Sequence, residues 1–371
     1  MKKHSFKPYY TVLVVLLAAV VALAIASAIL ALLGANVLET FKIICIQPFS
    51  SAKNFTGLIN KMTPLAIVGV GICIAYRSGF INLGGEGQMT MGILLSLVFG
   101  LNASDWPRWA LLGGMILCGM VGGAIWGWVA GILKTKFSVS ELLSTVMLNY
   151  VASQLFTYCI RVPLIDPAAS EPQTVQLSKN AWLSKINELI PGLDKATKFH
   201  SGIIVAVVLA LIVYFIMWKT GTGYKMRAAG LSERAARYGG IHVKRYALLS
   251  VVLSGACCGL AGTVEILGIH HRGLAGVTGG YGFSGIVVAL FGGLHPVGVL
   301  PASFFFAVIT YGCTLLKTKI AVLSNITNVL QGLVILVIVA AQMLMTNKYM
   351  MDKTERFFTT LFIRKQGGLK E

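Results

Sequence analysis

Residues 76–92 read YRSGFINLGGEGQMTMG: an arginine, an asparagine, a glutamate, a glutamine and five glycines, set between two apolar stretches that are each short for a bilayer crossing. A spanning helix needs about 20 apolar residues, because the hydrocarbon core is about 30 Å thick. Glycine weakens a helix, and a carboxylate at membrane depth is expensive unless it is paired or wetted. Non-helical backbone persists at that depth only where it is buried in protein or lines a water-filled cavity. The stretch therefore marks a polar interior, and the remainder of the chain must supply its walls.

Composition agrees. The chain has 371 residues, of which 56% are hydrophobic and only 12% charged, with a mean hydropathy of +0.78. A soluble domain needs about a quarter of its residues charged to cover its surface. No 10-residue segments of alternating polarity suggest a β-barrel. The class is all-α, a polytopic membrane protein. The net charge of +18 would suit a nucleic-acid binder, but the basic residues gather in a few loops beside apolar spans, the positive-inside pattern. The seven cysteines have no metal-ligand spacing and read as small apolar fillers. Residues 9–33 follow Lys2, Lys3 and Lys7 and are too long for a signal-peptide core, so they read as a first span with its N-terminus in the cytoplasm.

From that start, about ten transmembrane helices follow: 9–33, 62–76, 87–101, 109–133, 139–160, 201–218, 246–267, 283–294, 297–316 and 328–346. This count puts the basic segments 134–138, 219–245 and 347–371 all inside. The division is an N-terminal span with an outer amphipathic segment (1–61), a first repeat of spans 2–5 (62–160), an extracytoplasmic loop (161–200), span 6 with a basic cytoplasmic loop (201–245), a second repeat of spans 7–10 (246–346) and a cytoplasmic tail (347–371). Span 7 runs into a second glycine-rich break, HHRGLAGVTGGYGFSG. Spans 2–5 and 7–10 thus form two inverted repeats with broken central helices, a sequence sign of a transport pathway.

Several residues carry candidate chemistry. In the first break, Phe80, Asn82, Glu86 and Gln88 stand together, and Arg77 is available to pair with Glu86 as a structural ion pair. GGEGQ lacks the GxxxxGK[ST] phosphate loop, which appears nowhere in the chain, so the protein is not itself an ATPase. Glu141 fits the first turn of a helix capped by Ser140, or the pathway. Asn149, in mid-span, fits the pathway or an interhelical hydrogen bond. Glu265, followed by His270, His271 and Arg272, reads as an interfacial charge cluster rather than a gate. In the basic loop, SERAARYGGI reads as a short helix begun by Ser232 and ended by Gly239 and Gly240, able to lie on anionic lipid or to dock a partner.

SGFINLGGEGQM, SVSELLSTVMLNYVA and MRAAGLSERAARYGGI together resemble permease subunits of bacterial ABC importers, in the branch shared by sugar, branched-chain amino acid and nucleoside systems. The resemblance covers roughly 60–345 and is nearest to the nucleoside (guanosine-type) permeases. Where that branch reads FNIGGEGQ this chain reads FINLGGEGQ, and Ser140 stands in place of an asparagine. The resemblance implies a permease in a bacterial cytoplasmic membrane, paired with a second homologous permease. It implies an ATP-binding subunit on the cytoplasmic side and a substrate-binding lipoprotein or periplasmic protein outside. No cofactor is bound by this chain; ATP and Mg belong to the partner ATPase, and nucleic acid is no partner. Phe80, Asn82, Glu86 and Gln88 would lie on the central path. Gly230, Leu231, Ser232, Glu233, Arg234, Ala235, Ala236, Arg237, Tyr238, Gly239 and Gly240 would form the helix coupled to the ATPase. A permease for simple sugars such as ribose is the nearest alternative, and an ion-coupled secondary transporter, for which inverted repeats are equally expected, comes from another class.

The charge placement is tested by accessibility labelling of single cysteines in intact cells. Ser178→Cys should react with an impermeant maleimide from outside and Ser232→Cys only after the cytoplasm is opened; the reverse at either position overturns the orientation.

Overall fold

The computed structural model describes residues 37–185 and 199–319, with isolated positions 24, 27 and 332. The expected first and tenth spans, 9–33 and 328–346, lie outside the described residues, as does the tail. The described part is helical, with isolated β-bridges and no strands. In chain order the helices are α1 (Val37–Cys45), α2 (Ala52–Arg77), α3 (Gly85–Asn102), α4 (Arg108–Thr135), α5 (Glu141–Arg161), α6 (Gly202–Lys219), α7 (Gly221–Leu231), α8 (Glu233–Tyr238), α9 (Val243–Glu265), α10 (Tyr281–Phe291) and α11 (Pro296–Lys319). Five stretches among the described residues are long and apolar enough to cross a membrane: Ala52–Arg77, Arg108–Thr135, Gly202–Lys219, Val243–His270 and Pro296–Leu316.

The chain divides into two compact units, 1–46 with 312–371, and 47–311. In the first, Gly312 of α11 packs against the backbone of Ile44 in α1, where a Cβ would come within 2.6 Å of the Ile44 Cα. The second unit holds everything that follows.

Helix α2 begins at Ala52, not at 62 as the hydropathy pattern suggests. Ser51 caps it by accepting from the Asn54 N–H (3.2 Å). Its first turns are polar, and the fold gives those groups partners: Asn54 Nδ2 donates to the Gln47 carbonyl (3.1 Å), and Lys61 Nζ to the Tyr281 hydroxyl (2.7 Å). Beyond Lys61 the helix is apolar on every side and 83% of its apolar window is buried, against 28% for α6. A helix apolar all round belongs inside a bundle; α2 is a central element and α6 a peripheral one.

The second central element, α9, is held against α3 and α4 by a seam of glycines. Gly119, Gly123, Gly127 and Gly131 repeat every fourth residue along one face of α4, and Gly255 and Gly259 do the same on α9. A Cβ on Gly123 would overlap the Gly255 carbonyl, and one on Gly127 would sit 2.6 Å from the Val251 carbonyl oxygen. On α3, a Cβ on Gly92 would reach the Gly119 carbonyl at 2.8 Å, and one on Gly122 of α4 the Met91 carbonyl at 2.7 Å. Lipid offers no hydrophobic drive between helices, so close backbone approach through small residues is what binds them.

Gly113, on the same helix α4, has nothing within 4 Å of a built Cβ. Gly123→Ala should therefore lower stability by at least about 2 kcal/mol through overpacking. Gly113→Ala should be neutral or gain up to about 1 kcal/mol from helix propensity. Thermal unfolding of the two variants in detergent checks the opposite signs.

Candidate functional site

The first break begins where α2 ends. Gly79 turns the chain at φ +79°, Phe80 N–H donates to the Ala75 carbonyl (3.0 Å), and residues 80–84 are neither helix nor strand before α3 starts at Gly85. Phe80 is wholly buried against Ala75, Ala247 and Val251. Asn82, also wholly buried, is the knot of the segment. Its Nδ2 donates to Gln88 Oε1 (2.9 Å) and Ser254 Oγ (3.0 Å), while its Oδ1 accepts from the Gly84 N–H (2.9 Å) and Gln88 Nε2 (3.2 Å). Asn149 of α5 completes it, accepting from the Gly87 N–H (2.8 Å) and donating to the Leu83 carbonyl (2.9 Å). Each buried polar atom here has a partner, the condition under which such a network rigidifies rather than destabilises.

Glu86 and Arg77 do not pair with each other, contrary to the ion pair expected from the sequence. Glu86 reaches across to the second break: Oε1 accepts from the Gly280 N–H (3.1 Å) and Oε2 from the Gly282 N–H (2.7 Å), at the start of α10. Arg77 holds the other end of the same helix, its Nε donating to the Leu294 carbonyl (2.9 Å) and Nη2 to the Gly293 carbonyl (2.8 Å). Helix α10 has 11 residues, about 16 Å at 1.5 Å per residue. A carboxylate meets N–H groups at its start, matching the helix dipole, and a guanidinium meets carbonyls of the turn just past its end.

Glu141 is joined to this region from α5. Its carboxylate pairs with Lys134 (2.7 Å), and that ammonium lies 4.8 Å from the Phe80 ring centre. Ser140 occupies the N-cap position of α5 but makes no side-chain cap bond, so the capping expected for it is absent. The structure thus brings Phe80, Asn82, Glu86, Gln88, Glu141 and Asn149 into one region around the first break.

The loop residues form the expected short helix. Ser232 caps α8 by accepting from the Ala235 N–H, and Gly240 closes it at φ +74°. Glu233 and Arg237 form an ion pair along it. Ala236 is buried, whereas Leu231, Arg234, Ala235 and Tyr238 are exposed, Leu231 at 85% and Tyr238 at 95%. At the start of this loop, Gly230 abuts Arg77 and Gly79: a Cβ there would lie 2.8 Å from the Gly79 nitrogen. Trp218 stacks between Arg77 (5.8 Å) and Arg227 (5.3 Å).

On the other side, the loop 161–185 is bonded to the second break. Thr174 N–H donates to the Gly273 carbonyl (3.0 Å), Leu177 N–H to the His271 carbonyl (2.8 Å), and Leu183 N–H to the Leu267 carbonyl (2.9 Å). Trp182 stacks on His271 with ring centres 3.9 Å apart. Glu265 is 1% exposed, which corrects the interfacial reading of that residue. The glycine seam and the Arg77 contact were not singled out from the sequence; the four-residue glycine spacing of α4 was the available signal for the first.

Among the described residues no group of three or more His, Cys, Asp or Glu is placed to hold a metal ion. The sequence model of the family described as "Branched-chain amino acid transport system / permease component" matches residues 54–339. The chain is 31% identical to the guanosine ABC transporter permease protein NupP of Bacillus subtilis, over 89% of this chain and 93% of that one. It is 32% identical to the nucleoside ABC transporter permease protein NupB of Lactococcus lactis, over 81% and 83%. It is 30% identical to the glucose ABC transporter permease protein TsgB13 of Haloferax volcanii, over 86% and 85%. No solved structure matches the chain.

The Glu86 contact has a measurable cost. Glu86→Ala leaves two inward-facing N–H groups without acceptors and should lower stability by about 2–4 kcal/mol. Glu86→Gln keeps one oxygen acceptor and should lose about half of that. Melting temperatures in detergent give the order; equal values for both variants and the unaltered chain would remove the clamp.

Proposed function

The chain belongs to the branched-chain amino acid transport system permease family, and from that premise we propose that it carries nucleosides into a bacterial cell across the cytoplasmic membrane. In this reading it forms one half of a permease pair of about ten spans per chain, with two inverted repeats. A separate subunit hydrolyses ATP, and an extracytoplasmic protein delivers the substrate. Nucleosides are favoured because guanosine and nucleoside permeases are among its relatives. The glucose permease relative makes a sugar the competing substrate.

One observation carries the mechanism: the two glycine-broken segments meet at Glu86, and the cytoplasmic loop abuts the first of them at Gly230 and Gly79. A push on α8 is transmitted through that backbone contact to residues 78–84. From there it reaches α10 through Glu86 at one end and Arg77 at the other. Asn82, Gln88 and Asn149 keep the broken segment rigid enough to transmit the movement rather than absorb it. The wall of the path is formed by the two breaks, with Phe80, Glu86 and the Lys134–Glu141 pair beside it. A nucleobase can stack and hydrogen-bond along such a wall.

Docking of the ATPase uses the exposed face of the loop helix. The exposed residues include Leu231, which ends α7, and Arg234, Ala235 and Tyr238 of α8, with the extended Ser232 between the two helices. Ala235→Trp, or Arg234→Glu, should detach or uncouple the ATP-binding subunit while the permease still inserts. Detergent pull-down and substrate-stimulated hydrolysis test this. Retention of both in both variants would leave the loop as a basic lipid anchor. Uptake of labelled guanosine that an excess of ribose or glucose abolishes would move the substrate to the sugars.

A further inference from the structure

The network around the first break leaves one carboxylate of the second unused. Glu265, in the last turn of α9, is 1% exposed, and neither of its oxygens has a hydrogen-bond partner. Among the described residues the nearest nitrogen paired with this carboxylate is His270 Nε2, at 3.5 Å, beyond hydrogen-bond reach. A buried carboxylate without donors is costly and is retained where it serves a site. A second polar atom points the same way. His200 is 2% exposed with its Nε2 unpartnered, close enough to feel the charge of Glu265, and packed on Gly268. The backbone between them is irregular: α9 passes into a π-helical turn at Ile266–His270, and His271 takes the left-handed region at φ 56°. Such turns inside helices collect at functional sites.

Tyr281 opens α10. It is buried, and its hydroxyl accepts from Lys61 Nζ (2.7 Å), which leaves the phenolic hydrogen free to donate. Tyr281 lies between Gly280 and Gly282, the two residues whose N–H groups Glu86 holds. Whatever frees Glu86 from α10 therefore also releases Tyr281.

We propose that Glu265 is a substrate subsite, closed in this conformation, whose two oxygens accept hydrogen bonds from a pair of adjacent neutral donors on the transported molecule. In a nucleoside that pair is either the ring N–H and amino group of guanine or the vicinal hydroxyls of ribose. A carboxylate matches such a pair in the two-pronged way it matches a guanidinium. Among the described residues no group of ligating side chains is placed there to hold a metal. The inference rests on the nucleoside reading above.

The complete transporter, reconstituted in proteoliposomes with its binding protein saturated by each nucleoside, gives the test. Guanosine is compared with adenosine, which lacks the adjacent donor pair on the base, and with 2′,3′-dideoxyguanosine, which lacks the diol. The unaltered transporter should move guanosine about 10- to 100-fold faster than the analogue missing the recognised pair, the scale of hydrogen bonds to a charged group. Glu265→Gln should collapse that ratio towards one by slowing guanosine alone. Collapse against adenosine assigns the base, and collapse against the dideoxy compound assigns the sugar. If both ratios survive, the subsite is overturned. Should Glu265→Gln fail to insert, Glu265→Asp retracts the carboxylate by one methylene and should slow guanosine about tenfold with the analogue unaffected; an unchanged guanosine rate overturns the proposal. If the unaltered transporter moves no nucleoside, the nucleoside reading fails, and the subsite with it.

Discussion

A short helix gripped at both ends by charges from another part of the chain is the constraint around which the 47–311 unit is organised. Helix α10 is too short to cross a bilayer. Glu86 accepts from the Gly280 and Gly282 N–H groups at its start, and Arg77 donates to the Gly293 and Leu294 carbonyls just past its end. Arg77 ends α2 and Glu86 stands in the first turn of α3, so the two flank the non-helical residues 78–84. Glycine at 79 makes the turn, Asn82 ties the segment to α9 through Ser254, and Gln88 and Asn149 fasten the restart of the helix.

The clamp requires a rigid background, and the glycine seam supplies it. With Gly119, Gly123 and Gly127 against Gly255, Gly259 and Val251, α4 and α9 touch backbone to backbone. Interfaces of that kind cannot slide by fractions of an ångström without loss of contact. The loop 161–185, bonded to Leu267, His271 and Gly273, attaches to the second break.

Much of this was legible in the sequence. Hydropathy located α3, α4, α5, α6, α9, α10 and α11 within a few residues, because apolar length is fixed by the membrane and not by tertiary context. The capped helix at Ser232 was legible because N-cap and glycine signals act locally. What escaped was long-range pairing. Arg77 and Glu86 look like an ion pair because they are near in sequence, and only the non-helical backbone between them sends each to a different end of α10. The start of α2 escaped for a related reason. Asn54 and Lys61 look like surface residues until their partners, the Gln47 carbonyl and the Tyr281 hydroxyl, are known. Glu265 misled in the opposite sense, since its histidine and arginine neighbours suggested an interface and the fold buried it.

The partners in the clamp are main-chain groups, and that has an evolutionary consequence. The positions that carry the N–H groups are held to glycine by the backbone: Gly280 lies at φ +79°, and a Cβ on Gly282 would overlap the Glu86 backbone. No side chain at 280 or 282 is then available to vary in step with 86. Correlated substitution, the usual trace of contact between distant positions, would be silent across the contact on which this arrangement depends. Its signature in a lineage would instead be a prohibition: any side chain kept out of positions 280 and 282 wherever the acid at 86 remains.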